Sequence, residues 1–143
     1  MYSVLNDLSY YSITSMKPTE SELEILQVLW ANGPTTVRVV NEQLNQHSSK
    51  DIGYTTTLKM MQLMLTKGIL ERDTSTRTHV YKSAVEERSV KQGLLSQFVD
   101  KAFRGSAAQL VLETLGQHRT SDDELAKIKA LIEQMENDKN ATS

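Results

Sequence analysis

Apolar residues recur at steps of three and four along most of this chain, and the breaks in that rhythm mark its turns. In "PTESELEILQVLWANGP", Leu23, Leu26, Leu29 and Trp30 fall on one side of a helix, while Glu20, Glu24 and Gln27 fall elsewhere. Thr19 is placed to cap its start, with Glu22 at the three-residue spacing of a capping box. Asn32, Gly33 and Pro34 stop it, because glycine accepts the positive φ common just past a helix end. A second helix follows in "TTVRVVNEQLNQ", capped by Thr35 or Thr36, with Val37, Val40 and Leu44 inward and Arg38 outward. The polar stretch "HSSKDIG" leads to a third helix from Tyr54 to Lys67, closed by Gly68. Beyond Gly68 the period drops to two: "ILERD" and "THVYKS" alternate on either side of the turn-rich "TSTR", which predicts a short β-hairpin. From Glu86 to Asn140 the helical rhythm returns. Val90, Leu94, Phe98 and Phe103 make one stripe, widened by Leu95 and Val99. Ser106 caps a helix carrying Leu110, Val111 and Leu115. Ser121 and Glu124 form a second capping box, opening a helix with Leu125, Ile128, Leu131, Ile132 and Met135.

Three helices followed by a small hairpin is the plan of a winged helix-turn-helix. The expected fold is mainly α with a β-hairpin wing: an extension at residues 1–16, a winged helix at 17–84, a helical region at 85–138 and a tail at 139–143. The apolar stripes of the helical region are wide for helices that form no obvious bundle of their own. A second copy of the chain is the simplest cover for them. Leu94, Phe98, Phe103, Leu110, Val111, Leu115, Leu131, Ile132 and Met135 are then the expected dimer contacts. The competing reading folds this segment back onto the first domain as ordinary core.

The third helix carries the candidate chemistry. It opens "YTTTLK", although threonine is a mediocre helix former because its branched side chain loses rotamer freedom. Wound at about 100° per residue, Leu58, Met61, Met64 and Leu65 face inward with Met60 at the margin. Thr55, Lys59, Gln62 and Thr66 face outward, with Thr56 alongside. Hydroxyls and a lysine suit phosphate oxygens, threonine methyls and glutamine suit base edges, and the helix N-terminus favours an anion. The whole chain of 143 residues carries a formal charge of −2, which advertises no nucleic acid. Between Tyr54 and Lys82, however, five cations (Lys59, Lys67, Arg72, Arg77, Lys82) oppose Glu71 and Asp73, about +3 locally. Arg77 falls at the hairpin tip, where a wing reaches a backbone or a minor groove, and Arg38 is placed for a flanking phosphate. The candidate DNA-binding set is Arg38, Tyr54, Thr55, Thr56, Lys59, Gln62 and Arg77.

The stretches "MKPTESELEILQVLWANGPTTVRVVNEQL", "YTTTLKMMQLMLTKGIL" and "THVYKS" resemble the penicillinase-repressor family of winged-helix regulators, from about Lys17 to Asn137. The resemblance implies a cytoplasmic homodimer that represses transcription from a palindromic double-stranded DNA operator, with the helix from Tyr54 as recognition helix. Docking geometry predicts that such a dimer sets its two recognition helices in successive major grooves, roughly 34 Å apart. Three departures stand out. The copper-sensing branch uses paired cysteines, and this chain has none. The β-lactam branch is cut, at an Asn-Phe bond in its staphylococcal members, downstream of a membrane sensor protease; no Asn-Phe pair occurs here, although such a protease stays the candidate upstream partner. Leu63 stands where many relatives carry arginine.

Other classes are less well supported. A ligand-responsive regulator would place an effector pocket near Phe98, Phe103 and Met135, and a winged helix used only for protein–protein contact would suit the overall acidity. For an enzyme there is no nucleophile–base pair, metal spacing or glycine-rich phosphate loop. His47, His79 and His118 stand singly and read as surface or packing residues. No apolar run reaches the ~18 residues of a membrane span. Nothing points to a metal or cofactor.

Overall fold

The computed structural model describes residues 17–141, so the readings made for residues 1–16 and for 142–143 lie outside the described residues. The chain divides into two compact units, the first ending at Ser96 and the second starting at Gln97. The first contains α1 (Glu20–Asn32), α2 (Val37–His47), α3 (Tyr54–Thr66), β1 (Leu70–Asp73), β2 (Val80–Ser83) and the start of α4 (Glu87–Phe103).

The capping box at α1 forms as its spacing predicts. Thr19 Oγ1 accepts from the Glu22 N–H at 3.1 Å, and the Thr19 N–H donates to Glu22 Oε1 at 2.9 Å. Gly33 ends the helix at φ 77°, and its N–H donates to the Leu29 carbonyl at 2.8 Å. Of the two candidate caps for α2, Thr36 is the one used, its hydroxyl accepting from the Val39 N–H at 3.3 Å. Gly68, at φ 81°, turns the chain from α3 into β1.

These elements enclose one core. Ile25, Leu26 and Leu29 of α1 meet Val37 and Val40 of α2, Met61 and Met64 of α3, and Ile69, Leu70, Tyr81 and Val85 around the hairpin. Full burial of each such side chain contributes about 1.5–3 kcal/mol, so the hydrophobic stripes rather than helix propensity hold the unit together. Val90 is buried in this core and Leu94 packs against it, which carries the first unit past the wing to Ser96. Part of Leu94's apolar character is therefore used inside the chain. Trp30 ties α1 to the end of the hairpin through its indole N–H, shared between Ser83 Oγ at 3.1 Å and the Val85 carbonyl at 3.3 Å.

The hairpin is antiparallel, with Leu70 opposite Ser83 and Arg72 opposite Tyr81. A further pairing joins it. Thr35, in the link between α1 and α2, donates to the Tyr81 carbonyl at 2.9 Å and accepts from the Tyr81 N–H at 2.8 Å. The wing is thereby bonded to the start of the helix-turn-helix, an arrangement that a single-residue bridge does not announce in any sequence pattern.

The second unit contains the end of α4, α5 (Ala107–Gln117) and α6 (Asp122–Ala141). Ser106 and Ser121 take up their expected capping roles, accepting from Gln109 N–H and Glu124 N–H, each at 3.1 Å. Phe98 and Phe103 pack edge to face with ring centroids 5.7 Å apart. No described residue of this unit is buried.

Candidate nucleic-acid interface

The threonine run at the start of α3 divides between two tasks. Thr55 and Thr56 are exposed, together with Tyr54, Lys59, Gln62 and Thr66. Thr57 is fully buried, in line with Met61 and Met64, so its hydroxyl serves the fold and not a ligand. The Asn41 side-chain amide of α2 donates to Thr57 Oγ1 at 2.8 Å and to the Ile52 carbonyl at 2.9 Å. Asn45 donates to the same carbonyl at 2.9 Å and accepts from the Ile52 N–H at 2.6 Å. Gly53 caps α3 without a side-chain bond, so these two asparagines do the work of fixing where the helix begins. Asn41 and Asn45 carried no signal as isolated polar residues of α2; their role needs the turn to bring Ile52 and Thr57 to them.

An open groove of about 510 Å³ runs between α2, α3 and the hairpin. Four of the candidate residues, Arg38, Tyr54, Gln62 and Arg77, line it. Arg72 and His79 line it as well, and no carboxylate does. Arg72 was legible in part: it is two residues from the buried Leu70, hence on the same face of β1. His79 had no such signal. Thr55, Thr56 and Lys59 are exposed on the outward side of α3 but do not line the groove.

A helix with short donors and a cation outward, backed by a buried stripe and flanked by a basic hairpin, is the architecture of a winged helix-turn-helix. The family model described as "Penicillinase repressor" matches residues 18–134. The chain belongs to the penicillinase repressor family. Its relatives include the methicillin resistance regulatory protein MecI of Staphylococcus aureus (strain N315), 23% identical over 88% of this chain and 97% of that protein. Another is the penicillinase repressor of Bacillus licheniformis, 22% identical over 85% of this chain and 93% of that protein. Among solved structures it is similar to a MarR family protein from Bacillus stearothermophilus, with 17% identity, coverage of 97% of this chain and 89% of that one, and a TM-score of 0.47. This member of the penicillinase repressor family is a winged-helix transcriptional repressor, and its relatives are regulators rather than enzymes. Among the described residues, no helix is long and apolar enough to cross a membrane.

Ion pairing decides which of the repressor's cations are available to a ligand. Lys67 sits 2.8 Å from Glu22 Oε2, while the other oxygen of that carboxylate caps α1. Glu22 thereby joins the start of α1 to the end of α3. Burial pushes its carboxyl upward, but the Lys67 hydrogen bond and charge and the Thr19 N–H outweigh this and hold it below its ordinary value. Lys82 pairs with Glu71 at 3.3 Å, both side chains being more than half exposed, a contact of small worth. Arg38, Lys59, Arg72 and Arg77 form no ion pair among the described residues. With Lys67 neutralised by Glu22, the positive surplus offered outward is one charge smaller than the count over Tyr54–Lys82. What remains is concentrated on the groove and on Lys59.

Proposed function

We propose that this repressor acts in the cytoplasm as a homodimer on a palindromic operator, reading double-stranded DNA with α3 and the wing. The observation that carries the reading is the groove: Arg38, Tyr54, Gln62 and Arg77 converge on it from three elements, with Arg72 and His79 beside them and no acid lining it. A duplex laid there meets cations for its phosphates, and the outward Thr55, Thr56 and Lys59 meet its groove. Residues 17–84 serve as the DNA-binding domain and 85–138 as the dimerisation domain. Support for the latter is the second unit's lack of any buried residue, with Phe98, Leu112, Leu131 and Met135 each more than half exposed. Joining two half-site readers makes the second binding event effectively intramolecular, which raises affinity for a palindrome over a single half-site.

Two relatives are named for penicillinase and for methicillin resistance, so a β-lactam-responsive promoter is the first DNA to try beside the chain's own, with a membrane sensor protease as the candidate upstream partner. Mobility-shift titration of the full chain on both promoters tests the proposal. A discrete complex whose affinity falls steeply with added salt is the expected result. Absence of any complex at low salt, on these promoters and on random duplex alike, would overturn it in favour of a protein–protein module.

A further inference from the structure

Leu63 is 54% exposed and lies on the outward side of α3, about 40° around the helix from Lys59. Its companions there, Thr56, Lys59, Gln62 and Thr66, are all polar and all exposed. A single exposed leucine ordinarily signifies nothing; the position of this one, inside the face that would enter a groove, is what matters. We infer that Leu63 is a specificity-determining residue that meets the C5-methyl group of a thymine in the operator. It rests on the proposal that α3 lies in the major groove. Docked there, the isobutyl group displaces water from whichever base edge faces it. Against guanine O6 and N7, adenine N6 or cytosine N4, a polar atom would lose its hydrogen bond and gain none, which is unfavourable. Thymine is the base that presents an apolar group on that side. One A·T pair in each half-site, its thymine toward Leu63, is therefore selected by exclusion as much as by attraction. Leucine neutralises no phosphate, so Leu63 discriminates between sequences without contributing to salt dependence.

Selection of a randomised duplex library on the full-length protein supplies the operator. Each thymine in it is then replaced in turn by deoxyuridine, which removes the methyl group alone. For the unaltered chain, one thymine per half-site should lose about fourfold in affinity on demethylation, the worth of one buried methyl. For Leu63→Ala, whose core is untouched, the same replacement should change nothing, and the slope of affinity against salt should match that of the unaltered chain. A selected operator in which no thymine methyl is coupled to Leu63 overturns the inference and leaves the docking of α3 standing. A library that yields no bound duplex at all overturns the docking itself, and the inference with it.

Discussion

Lys59 and Arg77 illustrate how a surface charge acquires a role from its setting. Neither is held by a carboxylate, Lys59 lies on the outward side of α3 and Arg77 on the groove. Lys67, equally basic and only eight positions beyond Lys59, is spent on Glu22. Replacing Lys59 or Arg77 with alanine should weaken operator binding on all sequences and flatten the salt dependence by about one unit each. Titration of the two variants across a salt series measures this, and an unchanged slope in both would remove them from the interface. Thr57 shows the opposite case. Its neighbours Thr55 and Thr56 have the same chemistry, and only the rotation of the helix turns Thr57 inward to Asn41. A helical wheel sets Thr57 on the stripe of Met61 and Met64, four and seven positions on, but has no means of naming Asn41 as its partner. Its satisfaction matters, because a buried hydroxyl stripped of its partner costs about 1–3 kcal/mol.

Between α1 and α3, the Glu22–Lys67 pair couples folding to pH. The fold holds the Glu22 carboxyl below its ordinary value of 4.5, so the ionised form is the one the native state favours. Stability from this pair is complete above that value and is lost as the pH falls through the lower native one. Urea midpoints measured from neutrality down through the acid range should therefore drop less steeply in Glu22→Gln than in the unaltered chain. At neutral pH the variant should be less stable, having lost the charge opposite Lys67 while keeping an acceptor for the Thr19 N–H. Parallel acid limbs for the two proteins would show that the pair adds nothing. The helix ends themselves were readable in advance, since capping depends on residues three positions apart and on glycines able to take positive φ. The Thr35–Tyr81 bridge was not, because its two partners are distant in sequence and each reads locally as loop or strand.

For the chain taken entire, the contrast between its two units bears on assembly. The first encloses a continuous core from Ile25 to Val90, and the second buries none of its described residues. Apolar helices left that open gain by burial against a partner, at about 25 cal/mol per Å² covered. A chain ended at Phe103 keeps the first unit's core and should scatter light as a monomer, while the full chain scatters as a dimer. Circular dichroism confirms that the shortened chain is folded, and a folded, dimeric fragment would move the interface into the first unit.

Periodicity, caps and breakers act over three or four residues, and for that reason the linear order of amino acids sufficed to place the helices, the hairpin and the outward side of α3. Packing set the rest. The bond from Asn41 to Thr57, the capture of Lys67 by Glu22, and the convergence of Arg38, Arg72, Arg77 and His79 on one groove each join residues remote along the chain. Distance in space, on which hydrogen bonds and ion pairs depend, comes into being for such residues when the core closes.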